Sequence, residues 1–543
     1  MRLSGNPAGP PISFTFDGAP VAALPGETIA AALAAQDVVA LRRTEAGEMR
    51  GLWCGMGACW DCVVTVDGVP ARACMRVVEP GLRVESAPAA LPPPRKTVPE
   101  VERRCDVLVV GGGPAGVAAA VAAARLGART LLLERGNHLG GLSTGGLVIW
   151  IDRMTDWEGR LVIRGFAEEF LDRLPKGAVA GPPREAWGAR DAATAACWAA
   201  RTAAFHGIVT HSPTCDPEAM KLVAQEMVLE SGAELLFHAW GALPVLEDGA
   251  VRGAIFESKQ GRRVVLARVT VDATGDGDLF HRAGAACSTD VDTRDIHHTI
   301  NTAFLIGGVD MPRWLAWRAA QPAGFAEFMR RGKEAFGLFD KAFVSWRDDV
   351  ALFMGPRLAG FSAVDVEDQT EVEIRSHRLA AQHLDFYRAH APGFAGAFLM
   401  LTAPQLGVRH ARRLVGVGAV TRADWDGRVA ADEIGVSPSL APAFGNVSVG
   451  YGALVPAELD GLLAPGRHLA CDPSSHAFLR EIPQCWLSGQ AAGVAAALAA
   501  ANGVAPRAVA VTELRAALRR QGAYLNPDVA LPAQGQPLVA EFR

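Results

Sequence analysis

The chain has 543 residues, half of them hydrophobic and a fifth charged, with a formal net charge of −5. That length accommodates more than one domain with a sizeable core, and the mild acidity offers no footprint for nucleic acid or another polyanion. No uninterrupted apolar run reaches the length of a membrane span, and the opening MRLSGNPAGPPISF lacks the apolar core of an export signal.

The first elements are short. ISFTF alternates like a strand, Asp17-Gly18 reads as a hairpin turn, Pro25-Gly26 as a second turn, and a helix is expected from about Thr28. The run GLWCGMGACWDCVVTVDGVPARAC then spaces Cys54, Cys59, Cys62 and Cys74 as C-x4-C-x2-C-x11-C. A [2Fe–2S] cluster takes four thiolates around two irons, and the first three cysteines follow the plant-type spacing. Gly55 and Gly57 let such a loop wrap tightly and turn backbone N–H groups toward the cluster sulfurs. Structural zinc, which usually shows two C-x2-C pairs, and disulfides are the alternatives. Cys105, Cys197, Cys215, Cys287, Cys471 and Cys485 are scattered singly, a pattern that suits a reducing compartment, so a cytoplasmic location is expected. The first domain is expected over 1–86. The following stretch APAALPPPRKTVPE, residues 87–100, reads as a semi-rigid proline-rich linker.

A second domain, 101–543, opens on CDVLVVGGGPAGVAAAVAAARLGARTLLLER. Asp106 to Val110 reads as a buried strand, Ala115 to Leu126 as a helix stopped by Gly127, and Thr130 to Glu134 as the next strand. This is a βαβ unit of the doubly wound type. Gly111, Gly113 and Gly116 fill the three glycine positions of a dinucleotide fingerprint: tight turn, backbone approach to a pyrophosphate, and helix-on-strand packing. The helix N-terminus would face the phosphates, and Glu134 is placed to accept ribose hydroxyl protons. The fingerprint alone does not choose between FAD and NAD. Gly416-Val417-Gly418 fails as a second fingerprint because Thr421 stands at its third position, so a separate NAD(P)H domain is not expected.

Two later segments carry a resemblance. VTVDATGDGDLFHRAGA, residues 269–285, resembles the second flavin-binding stretch of FAD-dependent oxidoreductases, and GLLAPGRHLACDPSSHAFLREIPQCWLSGQAAGVAAALAA, residues 461–500, resembles their C-terminal segment. HLGGLSTGG and QLGVRHARRLVG also resemble the fumarate-reductase-like branch of that family. There G-V-R-E-S-R-R is frequent, whereas His410 and Ala411 replace the acid and the serine here. The resemblance implies FAD, bound by Gly111, Gly113, Gly116, Glu134, Arg135, Gly141, Thr274, Gly275, Asp276, Gly466, Gln490 and Gly493. It also implies a C-terminal helix starting near Gly489-Gln490 with its N-terminus at the flavin. FAD-binding segments are expected at about 101–150, 205–285 and 440–505, with substrate-side segments at about 150–205 and 285–440.

The N-terminal run resembles the small [2Fe–2S] modules of bacterial amine- and amino-acid-oxidising complexes, including hydrogen cyanide synthase, opine dehydrogenases and sarcosine oxidase relatives. The combined expectation is an α/β protein: a β-grasp-type ferredoxin-like domain joined to a Rossmann-like FAD-binding domain with an inserted substrate domain. Such a chain would oxidise a small amine, imino acid or amino acid at FAD and pass electrons through the cluster to an external acceptor or partner subunit, as part of an oligomer. The alternatives are a dehydrogenase or reductase of hydroxy or unsaturated acids, and an electron-transfer subunit of a larger complex. Candidate substrate-side residues are His476, Arg480, Arg409 and His410, with His297 and His298 behind them. A histidine supplies an acid or base near neutral pH, and an arginine clamps a carboxylate. Tyr451 and Trp486 are candidates for pocket lining or for packing.

Overall fold

The computed structural model describes residues 9–44, 47–86, 103–288 and 299–527. Packing divides the chain into two units, Met1–Pro99 and Glu100–Arg543. The stretch 87–100 read as a linker falls outside the described residues, as do His297 and His298.

In the first unit, β1 (Ile12–Phe16) and β2 (Ala19–Ala23) form the expected hairpin, with Asp17 and Gly18 both at positive φ. Helix α1 (Ile29–Ala34) starts where Thr28 caps it, the hydroxyl accepting the Ala31 N–H at 3.2 Å. A second hairpin, β3 (Val63–Val66) and β4 (Val69–Arg72), and the short β5 (Arg83–Glu85) complete a five-stranded sheet ordered β2-β1-β5-β3-β4, with β1 and β5 parallel. Ile29, Ala32 and Leu33 of the helix pack on Phe14, Val64 and Val84 of the sheet. One helix gripped by a mixed sheet is the ferredoxin-like arrangement expected from the sequence. Cys62 and Cys74 are buried with that core, which fixes one side of the cysteine loop.

The second unit is built on β6 (Arg103–Val110), α2 (Pro114–Ala124) and β7 (Thr130–Leu133), the predicted βαβ unit with β6 and β7 parallel. β8 (Glu234–Leu236), β9 (Trp240–Glu247), β10 (Ala250–Ser258) and β11 (Gly261–Asp272) extend it to a sheet ordered β8-β7-β6-β11-β10-β9. Val107 to Val110 are all buried, as the continuous apolar run of a parallel strand covered on both faces demands. A separate sheet, ordered β13-β14-β12-β15, is formed by β12 (Phe304–Gly307), β13 (Phe343–Val344), β14 (Val350–Phe353) and β15 (Phe398–Thr402). It packs with the long helix α3 (Val366–His390) through Phe304, Phe353, Leu384 and Tyr387. These elements lie within the stretch 285–440 expected on the substrate side.

The chain then returns to the first sheet. β16 (Leu462–Leu463) pairs with β11, and α4 (Pro473–Leu479) and α5 (Ile482–Asn502) follow. Helix α5 starts at Ile482 and not at Gly489-Gln490, because Glu481 is its cap and Pro483 occupies its first turn. Gly489 and Gly493 are interior to it. A Cβ at either would overlap the carbonyl oxygen of Ala115 or Ala119 on α2, so the two helices touch backbone to backbone. Gly493→Val should therefore lower stability by about 3 kcal/mol, read as a fall in the unfolding midpoint of the second unit.

Candidate active site

The turn Gly111–Gly113 opens a cleft of about 840 Å³ whose walls include Gly111, Gly113, Pro114, Glu134, Arg135, Gly141, Trp240, Thr274, Gly275, Gly466, Arg467, Arg480, Ile482 and Cys485. Most of the residues expected at a flavin thus converge, although they come from four separate stretches of chain. Each glycine of the fingerprint has a different reason. Gly111 has φ +102 and faces the Ala273 carbonyl, and a Cβ at Gly116 would overlap Gly111 O, so both serve the fold. Gly113 has ordinary φ and ψ, and a Cβ there meets nothing within 4 Å. Its side is open to the cleft, as expected of a backbone that a bound phosphate approaches.

Glu134 accepts the Gly112 N–H at 2.7 Å on one oxygen and the Gly136 N–H at 2.6 Å on the other, which leaves each oxygen a lone pair for a ribose hydroxyl. Arg135 lies over the Trp240 ring, 5.6 Å from its centroid. The DATGDGD turn is organised by buried Asp272. Its carboxylate accepts the Thr274 N–H and O–H at 3.1 and 2.7 Å and the Leu279 and Phe280 N–H groups at 3.0 and 2.9 Å. Asp276 is not on the cleft wall; it anchors Arg467 at 2.6 Å. The Gly466 N–H donates to Ser488 Oγ at 3.0 Å. Buried Arg467 Nε and Arg480 Nε have no acceptor, a deficit that a ligand rich in carbonyl oxygens and ring nitrogens would fill. The cleft therefore fits FAD.

Like Gly116 and Asp276, two further expected flavin contacts are off the cleft wall. Gln490 Oε1 accepts the Phe166 N–H at 3.2 Å and its Nε2 donates to the Gln521 carbonyl at 3.1 Å. Gly493 meets α2. Both follow from the earlier start of α5, which puts Ile482 and Cys485 at the cleft and these two deeper in the packed helix pair.

A second cavity, of about 750 Å³, shares Leu142, Arg467, Arg480 and Ile482 with the cleft and adds Val148, Trp150, Asn301, Ala303, Met354, Arg357, Val408, Arg409 and Glu481. Arg409 donates to Asn301 Oδ1 at 2.7 Å and to the Thr299 and Met354 carbonyls at 3.3 and 3.4 Å. Burial, with Arg480 and Arg357 nearby, pulls its pKa down to about 9. Arg480 meets Glu481 at 3.2 Å, and burial pushes the Glu481 carboxyl up from the usual range.

The two histidines are placed differently from expectation. His476 and His410 are buried with ring centroids 4.4 Å apart, on the wall of neither cavity. His476 Nε2 pairs with the Arg467 carbonyl at 3.0 Å, and burial beside His410 and Arg480 drives its pKa well below the histidine range. It holds the Arg467 loop. Tyr451 donates to the Pro506 carbonyl at 2.8 Å and Trp486 packs on Phe170, so both are packing residues.

In the first unit, Gly55, Gly57 and Trp60 are all at positive φ and curl the loop so that the Ala58 and Cys59 N–H groups reach Cys54 Sγ at 3.3 and 3.5 Å. Hydrogen bonds from the Cys59 and Met56 backbone lower the Cys54 thiol to about 6, so the loop favours thiolate. Among the described residues no three His, Cys, Asp or Glu side chains converge as on a single metal ion. The thiols instead neighbour one another as Cys54 with Cys59 and Cys62 with Cys74. Two pairs of thiols fit a cluster of two irons.

Trp240, Asp272, Arg357, Asn301 and Glu481 were not singled out by the sequence. Glu481 had a signal, since an acid two residues before Pro483 marks a helix start. Arg357 and Asn301 had none, because only the pairing of Asn301 with Gly407 and of Ile300 with Leu358 brings them to the cavity.

Comparison with known proteins supports the same reading. Residues 106–518 match the FAD dependent oxidoreductase family and residues 9–88 a 2Fe-2S iron-sulfur cluster binding domain. Hydrogen cyanide synthase subunit HcnA of Pseudomonas aeruginosa is 48% identical over 76 residues, 14% of this chain and 73% of that protein. Thiamine thiazole synthase of Aeropyrum pernix is 43% identical over 72 residues, 13% of this chain and 23% of that protein. A geranylgeranyl bacteriochlorophyll reductase-like protein from Thermoplasma acidophilum covers 78% of this chain and 83% of its own at 13% identity, with a TM-score of 0.35.

Gly113→Val should leave folding intact and abolish flavin binding, because its Cβ meets open cleft; flavin absorbance per chain and the unfolding midpoint report the two separately. Cys59→Ser should remove the cluster and leave the flavin, the two sets of residues lying in separate units. Iron and acid-labile sulfide in the unmutated protein should be about two of each per chain, and zinc in their place would refute the assignment.

Proposed function

The chain belongs to the FAD-dependent oxidoreductases and carries an N-terminal 2Fe-2S cluster-binding domain, and on that premise we propose that it is a dehydrogenase of a small amine, imino acid or amino acid that delivers electrons to an external acceptor or partner subunit. The observation that carries this reading is the second cavity. It shares Arg480, Ile482, Leu142 and Arg467 with the nucleotide cleft, which puts a largely apolar chamber beside the cofactor. An electron-relay subunit would not require such a chamber.

When bound, FAD would supply a hydride acceptor and the [2Fe–2S] cluster a one-electron carrier, a pairing that matches two-electron oxidation to a one-electron acceptor. The chain's own residues do the rest. Gly111, Gly113 and the start of α2 would hold the pyrophosphate, and Glu134 the ribose. Asp272 and Asp276 hold the two turns that carry Thr274 and Arg467. Val148, Trp150, Ala303 and Met354 give the chamber a dry wall, and Arg409 is held by Asn301 facing it. That HcnA is named a subunit supports a partner subunit for this chain.

Anaerobic mixing with a panel of amines, amino acids and hydroxy acids, followed at the flavin band, tests the reading. Bleaching by amino compounds is expected; bleaching by hydroxy acids alone would replace it with the hydroxy-acid alternative. Steady-state turnover should require an added dye acceptor, with NAD⁺ a poor one, since no second dinucleotide fingerprint occurs in the sequence. Arg409→Lys should raise KM by about tenfold with a smaller change in kcat, because an ammonium cannot reproduce the planar fork.

A further inference from the structure

The walls of the second cavity are divided by charge. Arg467 is neutralised by Asp276 at 2.6 Å and Arg480 by Glu481 at 3.2 Å. Arg357 and Arg409 are the remaining cations. Neither stands within ion-pair distance of a carboxylate among the described residues, and Arg409 is satisfied only by neutral acceptors, the Asn301 side chain, Thr299 and the Met354 carbonyl. An unpaired cation in a largely apolar chamber is costly, and an anion entering there relieves it. A simple amine carries only positive charge and would be repelled by the same pair.

Glu481 is the one acid on the wall. It is the N-cap residue of α5, where a carboxylate ordinarily accepts the N–H groups of the first turn, yet its side chain makes no cap hydrogen bond. Its side chain is 19% exposed, on the cavity, and one oxygen meets Arg480. A carboxylate that forgoes the stabilisation of its own helix end is available to a ligand. The ionic groups around it are Arg480, Asp152, Arg409 and Arg153, and burial outweighs the arginines in raising its pKa. That direction strengthens a carboxylate as a base near neutral pH.

We infer that the cavity takes a zwitterionic α-amino acid, with Arg357 and Arg409 on its carboxylate and Glu481 on its amino group, and that Glu481 receives the amino proton as the substrate is oxidised. The inference rests on the dehydrogenase reading above and narrows its substrate class. The step balances with the family's cofactor as oxidant: an N–H proton passes to a Glu481 oxygen, the Cα–H bond breaks with its electron pair leaving as hydride to FAD, and the C=N bond of the imino acid forms. Glu481 then gives its proton to water.

Three probes that lack the reacting α-amino C–H test the binding independently of turnover: α-aminoisobutyrate (both charges, no α-hydrogen), isobutyrate (carboxylate only) and tert-butylamine (amine only). Each is titrated calorimetrically into the flavin-loaded full chain and into its E481Q and R409K variants, with flavin content and unfolding midpoint checked for each. The expected result is that α-aminoisobutyrate binds at least about tenfold more tightly than isobutyrate, that E481Q removes this difference while isobutyrate binding is kept or improved, and that R409K weakens both by about tenfold. Equal binding of α-aminoisobutyrate and isobutyrate to the unmutated protein, an unchanged preference in E481Q, preferential binding of tert-butylamine, or no binding of any probe would overturn the inference. If E481Q fails to load flavin or to fold, the comparison of the three probes on the unmutated protein and R409K still decides the charge division, and E481D decides the role of the carboxylate. Failure of the dehydrogenase reading is read separately, as absence of flavin bleaching by any amino compound, and leaves the probe affinities intact.

Discussion

The second unit depends on the backbone contact between α2 and α5. Ala115 and Ala119 on one helix and Gly489 and Gly493 on the other leave no room for a side chain between them. Residues far apart in sequence are thereby fixed at the closest separation two helices allow. The consequence is at the helix ends. The start of α2 carries the fingerprint turn, and the start of α5 carries Glu481, Ile482 and Cys485, so the packing sets the first turn of each helix at the cleft. A larger residue at Gly493 would act on the nucleotide site through this spacing, without touching it.

Around that contact, carboxylates do the structural work at the site. Glu134 and Asp272 each bind several backbone N–H groups, which holds the turns they belong to against the sheet edge. Asp276 fixes Arg467, and the neutral ring of His476 holds the carbonyl of the same residue. These groups prepare the cleft before any ligand arrives, so less ordering is required on binding. Glu481 is the exception among them. It sits where a cap would be useful and its side chain does not serve as one, and of the ionic groups around it Arg480 and Arg409 line the chamber.

The first unit follows a more local logic. Three of its cysteines lie within one short loop, and positive φ at Gly55, Gly57 and Trp60 turns the intervening amides onto a thiol. Cys62 and Cys74 are set by the core beneath, where they pack with Val64 and Ala73.

By itself the sequence determined the parts whose chemistry is written at short range. The cysteine spacing, the β6–α2–β7 unit with Gly111, Gly113, Gly116 and Glu134, and the ATGD turn each depend on residues close together in the chain, where turn geometry and hydrogen bonding act directly. The tertiary structure decided the rest. Gln490 and Gly493 resembled flavin contacts, but the register of α5, set by Glu481 and Pro483, turns them into the helix interface. His476 resembled a base, but packing against His410 and the Arg467 carbonyl removes it from the chamber. Arg357 and Asn301 carry no local mark at all, and they become wall residues only because distant segments meet, Asn301 pairing with Gly407 and Ile300 bridging to Leu358 beside Arg357. The chamber's charge depends on which arginines find carboxylate partners, and that is settled by spatial neighbours contributed from distant segments.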